Sequence, residues 1–263
     1  MPGKDAAVTE LSTYQFPCRS DNYGVLLHDP LSGLTASIDA PDAAAVEQAL
    51  AFKGWRLTHI FTTHHHADHT EGNIALKEAH GCQIIGPRDE AAKIPGIDRE
   101  VGGGDTFRFA EFDVEVLATP GHTLGHISYH IPAARLAFVG DTMFAMGCGR
   151  VFEGDHEMMW SSLSRLRNLP RDTTVYCGHE YTLSNARFAL TVEPDNKALA
   201  ARAAEIEALR QDGKPTLPTT IEAELATNPF LRACEPELKA ALGMSDAEDW
   251  QVFAEVRTRK DNA

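Results

Sequence analysis

The segment Thr63-His64-His65-His66-Ala67-Asp68-His69 sets four side chains able to bind a metal ion, His64, His66, Asp68 and His69, within six residues directly after the apolar pair Ile60-Phe61. In an extended chain successive side chains alternate faces, so His64 and His66 point the same way, whereas on a helix they would splay apart. The pair reads as a chelate at the end of a strand. Asp68 and His69 follow where the chain must turn, which lets them aim at a second position close to the first. One segment can therefore seed two metals. His65 lies between the chelating pair, must face the other way and is read as a non-ligand. A solvated loop or a purification tag also contains histidine runs, but a tag would be terminal and would not interleave Ala and Asp.

Two ions with five- or six-coordinate shells need more ligands, and three further candidates occur singly: His122 in Thr119-Pro120-Gly121-His122-Thr123, Asp141 in Phe138-Val139-Gly140-Asp141-Thr142, and His179 in Val175-Tyr176-Cys177-Gly178-His179-Glu180. Each follows a glycine at the end of an expected strand. Glycine permits a sharp turn and close approach, which suits a chain leaving a strand to present a ligand.

With these motifs the chain resembles a hydrolase of the metallo-β-lactamase superfamily, and more narrowly glyoxalase II, the hydroxyacylglutathione hydrolases, over nearly its whole length. The resemblance implies a dinuclear site with His64, His66 and His122 on one metal, Asp68, His69 and His179 on the other, and Asp141 bridging. Mixed imidazole and carboxylate ligands suit zinc, with iron or manganese as alternatives. Two divalent ions less two carboxylates leave a site biased toward developing anions, and water bound there has its pKa lowered to about 7. Hydroxide so formed attacks a thioester carbonyl, and Asp68 is expected to orient it and shuttle its proton. No serine or cysteine sits in an elbow or triad context to serve as an alternative nucleophile.

The implied substrate is an S-2-hydroxyacylglutathione thioester, typically S-lactoylglutathione, as in methylglyoxal detoxification. The ending Arg257-Thr258-Arg259-Lys260-Asp261 resembles the family's carboxyl terminus, where the positions of Arg257 and Lys260 hold the glycine carboxylate of glutathione. On their own, cations at a helix C-terminus equally complement the helix dipole. Gly147-Cys148-Gly149-Arg150-Val151-Phe152-Glu153-Gly154 looks like the family's substrate loop, and Tyr181 places a hydroxyl beside His179. Arg150 stands where some members have lysine, preserving charge. Phe152 stands where some have tyrosine, removing one hydroxyl contact. Asn22 and Tyr23 match the family's opening strand, though an ordinary turn explains them too, and Asp39 could accept a hydrogen bond from the outer nitrogen of a ligand histidine. Alternatives are a glutathione persulfide dioxygenase with mononuclear iron, which should lack the long helical tail, and a dinuclear lactonase or esterase, which would have no use for the cationic pair.

These residues need a scaffold. The 263 residues, 43% hydrophobic, suffice for one substantial domain and a smaller appendage. A net charge of −14 argues against nucleic acid as a partner. Five cysteines, Cys18, Cys82, Cys148, Cys177 and Cys234, form no close pair and read as reduced thiols. Met1 to Cys18 lacks the apolar core of a signal peptide and no stretch is long enough to cross a bilayer, so a cytoplasmic monomer without membrane contact is expected.

Strands are predicted at Tyr23-Leu27, Thr35-Ile38, His59-Thr62, Gln83-Ile85, Thr106-Phe109, Asp113-Leu117, Ile127-His130, Leu136-Val139 and Thr174-Cys177, and helices at Ala43-Phe52, Asn73-Ala79 and Met158-Arg167. The fold class is α+β, matching the αββα sandwich that the resemblance implies, with a C-terminal helical domain. The expected division is 1–182 for the catalytic domain and 183–263 for a helical substrate-binding domain. Within the latter, Leu199, Ala203, Ile206 and Leu209 recur at helical spacing, and the pairs Thr219/Glu222 and Ser245/Glu248 read as capping boxes. The last helix is expected to dock through Ala247, Trp250, Phe253 and Ala254.

Overall fold

Alternating apolar side chains along short strands build two facing sheets in a computed structural model of the chain, which describes residues 10–263. The reading of the first nine residues as part of a segment without a signal-type core lies outside the described residues. The first sheet runs in spatial order β1 (Ser12–Cys18), β2 (Asn22–His28), β3 (Thr35–Ile38), β4 (His59–Phe61), β5 (Gln83–Pro87), β6 (Arg99–Val101). Its first two pairings are antiparallel and the rest parallel. The second contains β7 (Thr106–Phe109), β8 (Phe112–Ala118), β9 (Ile127–Ile131) and β10 (Leu136–Phe138). Beyond a small hairpin of β11 (Met143–Phe144) and β12 (Gly147–Cys148), it is completed by β13 (Thr174–Tyr176), parallel to β10, and β14 (Thr219–Thr220).

Period-two burial explains the layering. Val25, Leu27, Phe61 and Ile85 face the second sheet and pack with Phe107, Val116, Tyr129 and Phe138, while their neighbours Leu26, Ile60 and Ile84 face outward. The outward set is covered by α1 (Ala43–Lys53) and α3 (Asn73–His80), through Val46, Leu50 and Leu76. On the far side, Ala137 and Val175 are covered by Leu163 and Leu166 of α4 (His156–Arg167). Each fully buried leucine or phenylalanine contributes about 1.5–3 kcal/mol. The result is the αββα sandwich. Helix ends follow local chemistry: Asp42 caps α1, and Gly81 closes α3 in the left-handed conformation, as its position predicts.

Strands β1 and β6, the β11–β12 hairpin and β14 escape the sequence reading, as does the single turn α2 (Ala67–Thr70). Strand β1 contains Pro17, which an edge strand tolerates.

The helical segment comprises α5 (Thr182–Val192), α6 (Lys197–Gln211), α7 (Ile221–Thr227), α8 (Pro236–Ala241) and α9 (Asp249–Asp261). Both expected capping boxes are displaced. The α7 cap is Thr220, whose hydroxyl accepts from Ala223 N, while Thr219 sits in β14 and donates to Glu224. The α9 cap is Glu248, paired with Gln251, because Leu242, Met244 and Ala247 pack against the core and delay the helix start. The docking face of α9 is also rotated from the expected stripe: Val252, Phe253, Val256 and Arg257 are buried, with Trp250 and Ala254 only partly so.

Candidate active site

The first four candidate ligands lie just past β4. His64 is fully buried and His66 occupies the extended position before α2, so both rings turn to one side, with His64 Nε2 and His66 Nδ1 3.1 Å apart. His65 faces away, as expected, with Nδ1 2.9 Å from the Glu90 carboxylate. Glu90 also accepts the backbone N–H of His65 and of Gly125, tying together the loops that carry His64 and His122.

The single candidates converge on this point from the second sheet. His122 Nε2 is 3.1 Å from His66 Nδ1. Asp141 lies between the two groups: Oδ1 is 3.3 Å from His69 Nε2, and Oδ2 is 3.3 Å from His179 Nε2 and 3.6 Å from His122 Nε2. Asp68 Oδ2 is 3.4 Å from His179 Nε2. The glycines make the approach possible. Gly121 and Gly140 have φ of 141° and 47°, and a Cβ on Gly178 would lie 2.5 Å from Asp141 Oδ1.

Four of the five inward ring nitrogens are set by a partner behind the ring, whereas His66 turns its Nδ1 inward. Thr63 Oγ1 donates to Asp39, so it accepts from His64 Nδ1, 3.0 Å away. His69 Nδ1 donates to Asp39 at 2.8 Å, His122 Nδ1 to the Arg150 carbonyl at 2.9 Å, and His179 Nδ1 to Asp21 at 3.0 Å. In all four the partner holds a proton at Nδ1 and aims Nε2 at the centre, where it can ligate once it carries no proton. The expected role of Asp39 is met, from a left-handed backbone at φ 55°. Asp21 and Asn22, whose amide donates to Asp68 Oδ2 at 3.2 Å, complete the surround. They reach it because Asn22 bridges to His179 and Tyr23 N donates to Gly178 O, joining the sheets at this end.

The electrostatics separate the two halves. Burial drives His64 well below the ordinary imidazole range, and His66 and His122 are lowered for the same reason. Burial opposes charge on His69 and His179, yet Asp141 and Asp39 raise His69 well above that range, and Asp141 and Asp68 raise His179 to about 10. Burial would raise Asp141, but His69 and His179 hold it well below the carboxylate range. A hydrogen bond from His179 holds Asp68 low against burial. Without cations this centre binds protons instead.

The donor set fits divalent cations. His64, His66 and His122 form one group with ligand atoms within 4.8 Å of one another, and Asp68, His69 and His179 form another. His69 Nε2 and Asp141 Oδ1 are buried there without a hydrogen-bond partner.

The centre floors a cleft of about 460 Å³ walled by Arg150, Tyr181, Ser184, Asn185, Arg257 and Lys260. The four residues expected at the substrate are thus brought together, but unequally. Arg150 is exposed, and Tyr181 stacks on His179 with its phenol pushed up to about 12 by burial. Lys260 Nζ donates to Ser184 O and Oγ. Arg257 is only 4% exposed, and its guanidinium donates to Cys148 O and Asp261. Phe152 is 61% exposed, its ring centroid 5.2 Å from that of His122. Ser184 and Asn185 went unnoticed in the sequence, where two polar residues on a helix carry no signal of a cleft.

Comparison with known proteins agrees with this geometry. Residues 20–179 match the family model described as the metallo-beta-lactamase superfamily, and residues 180–263 match the hydroxyacylglutathione hydrolase C-terminus. A hydroxyacylglutathione hydrolase of Rhizobium meliloti (strain 1021) is 62% identical over 94% of this chain and 96% of its own length. One from Brucella ovis is 61% identical over 95% and 98%. Among solved structures, ETHE1 from Myxococcus xanthus superposes with a TM-score of 0.64 at 27% identity, covering 95% of this chain and 98% of that one. A protein in a di-iron-bound form, TTHA1623, shares the fold at a TM-score of 0.61 and 22% identity, over 82% and 99%. With its centre of histidines and aspartates under a cationic wall, the chain belongs to the hydroxyacylglutathione hydrolase family of metallo-β-lactamase-superfold enzymes.

Proposed function

We propose that the chain hydrolyses S-2-hydroxyacylglutathione thioesters, typically S-lactoylglutathione, to glutathione and a 2-hydroxy acid, as a step in methylglyoxal detoxification. The observation that carries this reading is the meeting of His64, His66, Asp68, His69, His122, Asp141 and His179 at the floor of a cleft whose wall bears Arg150 and Lys260. His64, His66 and His122 would hold one divalent ion and Asp68, His69 and His179 a second, with Asp141 between the two groups as the shared ligand; zinc suits the set, as do iron and manganese. When bound, the ions supply water of lowered pKa and polarise the carbonyl.

The chain's own residues do the rest. Arg150 and Lys260 attract the carboxylates of the tripeptide, countering a net charge of −14. The Tyr181 phenol stays protonated and donates to the substrate. Water oxygen adds to the thioester carbon and the C–S bond breaks. The half-exposed Asp68 carboxylate takes the water's proton and passes it to the departing thiolate. Arg257 acts partly by orienting Cys148 and the loop beyond it. We divide the chain at 182, with the helical segment supplying much of the cleft wall. No helix among the described residues is long and apolar enough to cross a membrane, and the cysteines described are all unpaired, which supports a cytoplasmic setting.

The test compares loss of thioester ultraviolet absorbance with oxygen uptake on glutathione persulfide. Rapid thioester turnover without oxygen uptake is expected. Rapid oxygen uptake beside slow hydrolysis would favour the dioxygenase alternative.

A further inference from the structure

His126 lies beneath the centre, 1% exposed, and offers it no ligand atom. Its ring stacks on His64 with centroids 4.8 Å apart and planes 27° from parallel. On the other side, its Nε2 accepts the backbone N–H of Asp141 at 3.1 Å. One buried ring therefore touches a ligand residue of one group and the aspartate shared by both.

Its tautomer follows from its neighbours. Because Nε2 accepts, the ring proton must sit on Nδ1, which lies 2.9 Å from Thr119 Oγ1 and 3.1 Å from Thr142 Oγ1. Thr142 spends its hydroxyl proton on the Thr119 carbonyl, leaving a lone pair for Nδ1–H. Gly140 makes room: a Cβ there would stand 2.7 Å from Nε2. At φ 47° it also turns the chain so that the Asp141 N–H faces the ring and its carboxylate faces the cleft.

We infer that His126 is a positioning residue that fixes the main chain of Asp141 against the ring of His64 and so sets the spacing between the two metal-binding groups. This rests on the two-ion reading above. Since Nε2 is committed to the backbone, His126 acts only through its neighbours.

The test uses the full-length zinc-loaded chain with His126→Phe, which keeps a flat ring but has no acceptor, and His126→Gln, whose side-chain oxygen can reach the Nε2 position. Zinc retention against a competing chelator is measured beside kcat and KM for S-lactoylglutathione. His126→Phe should hold zinc about ten- to a hundredfold more weakly and lower kcat with little change in KM, and His126→Gln should recover most of the zinc affinity. Equal zinc retention by His126→Phe and the natural chain would overturn the proposal, as would equal weakness of the Phe and Gln variants, which would reduce the ring to filler. If the Phe variant does not fold, His126→Leu supplies an acceptor-free side chain for the same contrast with Gln. A natural chain that takes up no zinc would overturn the metal reading and this proposal with it.

Discussion

The carboxylate of Glu224 accepts the backbone N–H of Met146 at 2.8 Å across 78 residues of chain. Met146 lies in the turn of the β11–β12 hairpin, in left-handed conformation at φ 57°. Other side chains of the helical segment close on the same turn: Asn185 donates to Ala145 O, and Asn228 to Phe144 O and Gly147 O. The hairpin connects Asp141 to Arg150, whose carbonyl orients His122. The helices that wall the cleft thus also grip the loop that shapes its floor.

Glu224 is fully buried and paired with Arg202 at 2.6 Å. Replacing it with alanine takes the carboxylate from the Arg202 guanidinium, which keeps the Thr219 and Thr227 hydroxyls, and from the Met146 N–H, a loss of about 3–5 kcal/mol. Urea unfolding should show the midpoint falling with the slope unchanged. A loss below about 1 kcal/mol would mean that the hairpin is held by other contacts.

The cations of α9 should separate under mutation. Lys260→Ala, which removes a half-buried cation hydrogen-bonded to Ser184 and lying over the Phe188 ring, should raise KM for the thioester about tenfold, near 1.4 kcal/mol, with kcat and stability little changed. Arg257→Ala should raise KM and also lower the melting temperature, because Cys148 O, Asp261 and the face of Phe230 lose a partner. Steady-state kinetics with thermal unfolding decide this, and an unmoved melting temperature for Arg257→Ala would contradict the structure.

The Tyr181 ring lies on His179 with centroids 4.8 Å apart and planes 6° from parallel. Tyr181→Phe keeps this stack and loses only the hydroxyl, so KM should rise a few-fold, about 1 kcal/mol. Tyr181→Ala should lower kcat as well, by freeing the His179 ring. Equal kinetics for the two variants would show that the stack has no part in orienting His179.

Proton release should accompany metal uptake. In the metal-free chain His179 is raised from its ordinary 6.5 to about 10 by Asp141 and Asp68 against burial. That raised value contributes stability in full below about pH 6.5, and the contribution is lost as pH rises toward 10. Zinc binding to metal-free protein at pH 8 should therefore expel roughly one to two protons, from His179 and the similarly raised His69. Calorimetry in buffers of different ionisation enthalpy measures the number. A binding heat independent of buffer would show that these rings are already neutral.

Local spacing made much of the centre legible before any fold was known. The one-residue separation of His64 and His66 means a shared side wherever the chain is extended, and a glycine before His122, Asp141 and His179 marks a chain turning sharply out of a strand. The continuous apolar run Val25-Leu26-Leu27 lies in a predicted strand and is buried on both faces. Helix starts were less legible: Thr219 and Ser245 match a capping pattern, yet Thr220 and Glu248 hold the caps, because packing of the preceding residues decides where the chain can begin to coil.

Tertiary structure alone decided the rest. The partners Asp21 and the Arg150 carbonyl come from distant strands and loops, and His126 and Glu224 act on backbone groups that no pattern of residue types reveals. The sequence by itself determined which side chains can bind metal, since ligand chemistry belongs to the residue and chelate spacing to its neighbours along the chain. Which proton each ring keeps, how deep Arg257 sits and which helix holds the hairpin depend on groups that meet only when the chain closes, because hydrogen bonds and burial act across space.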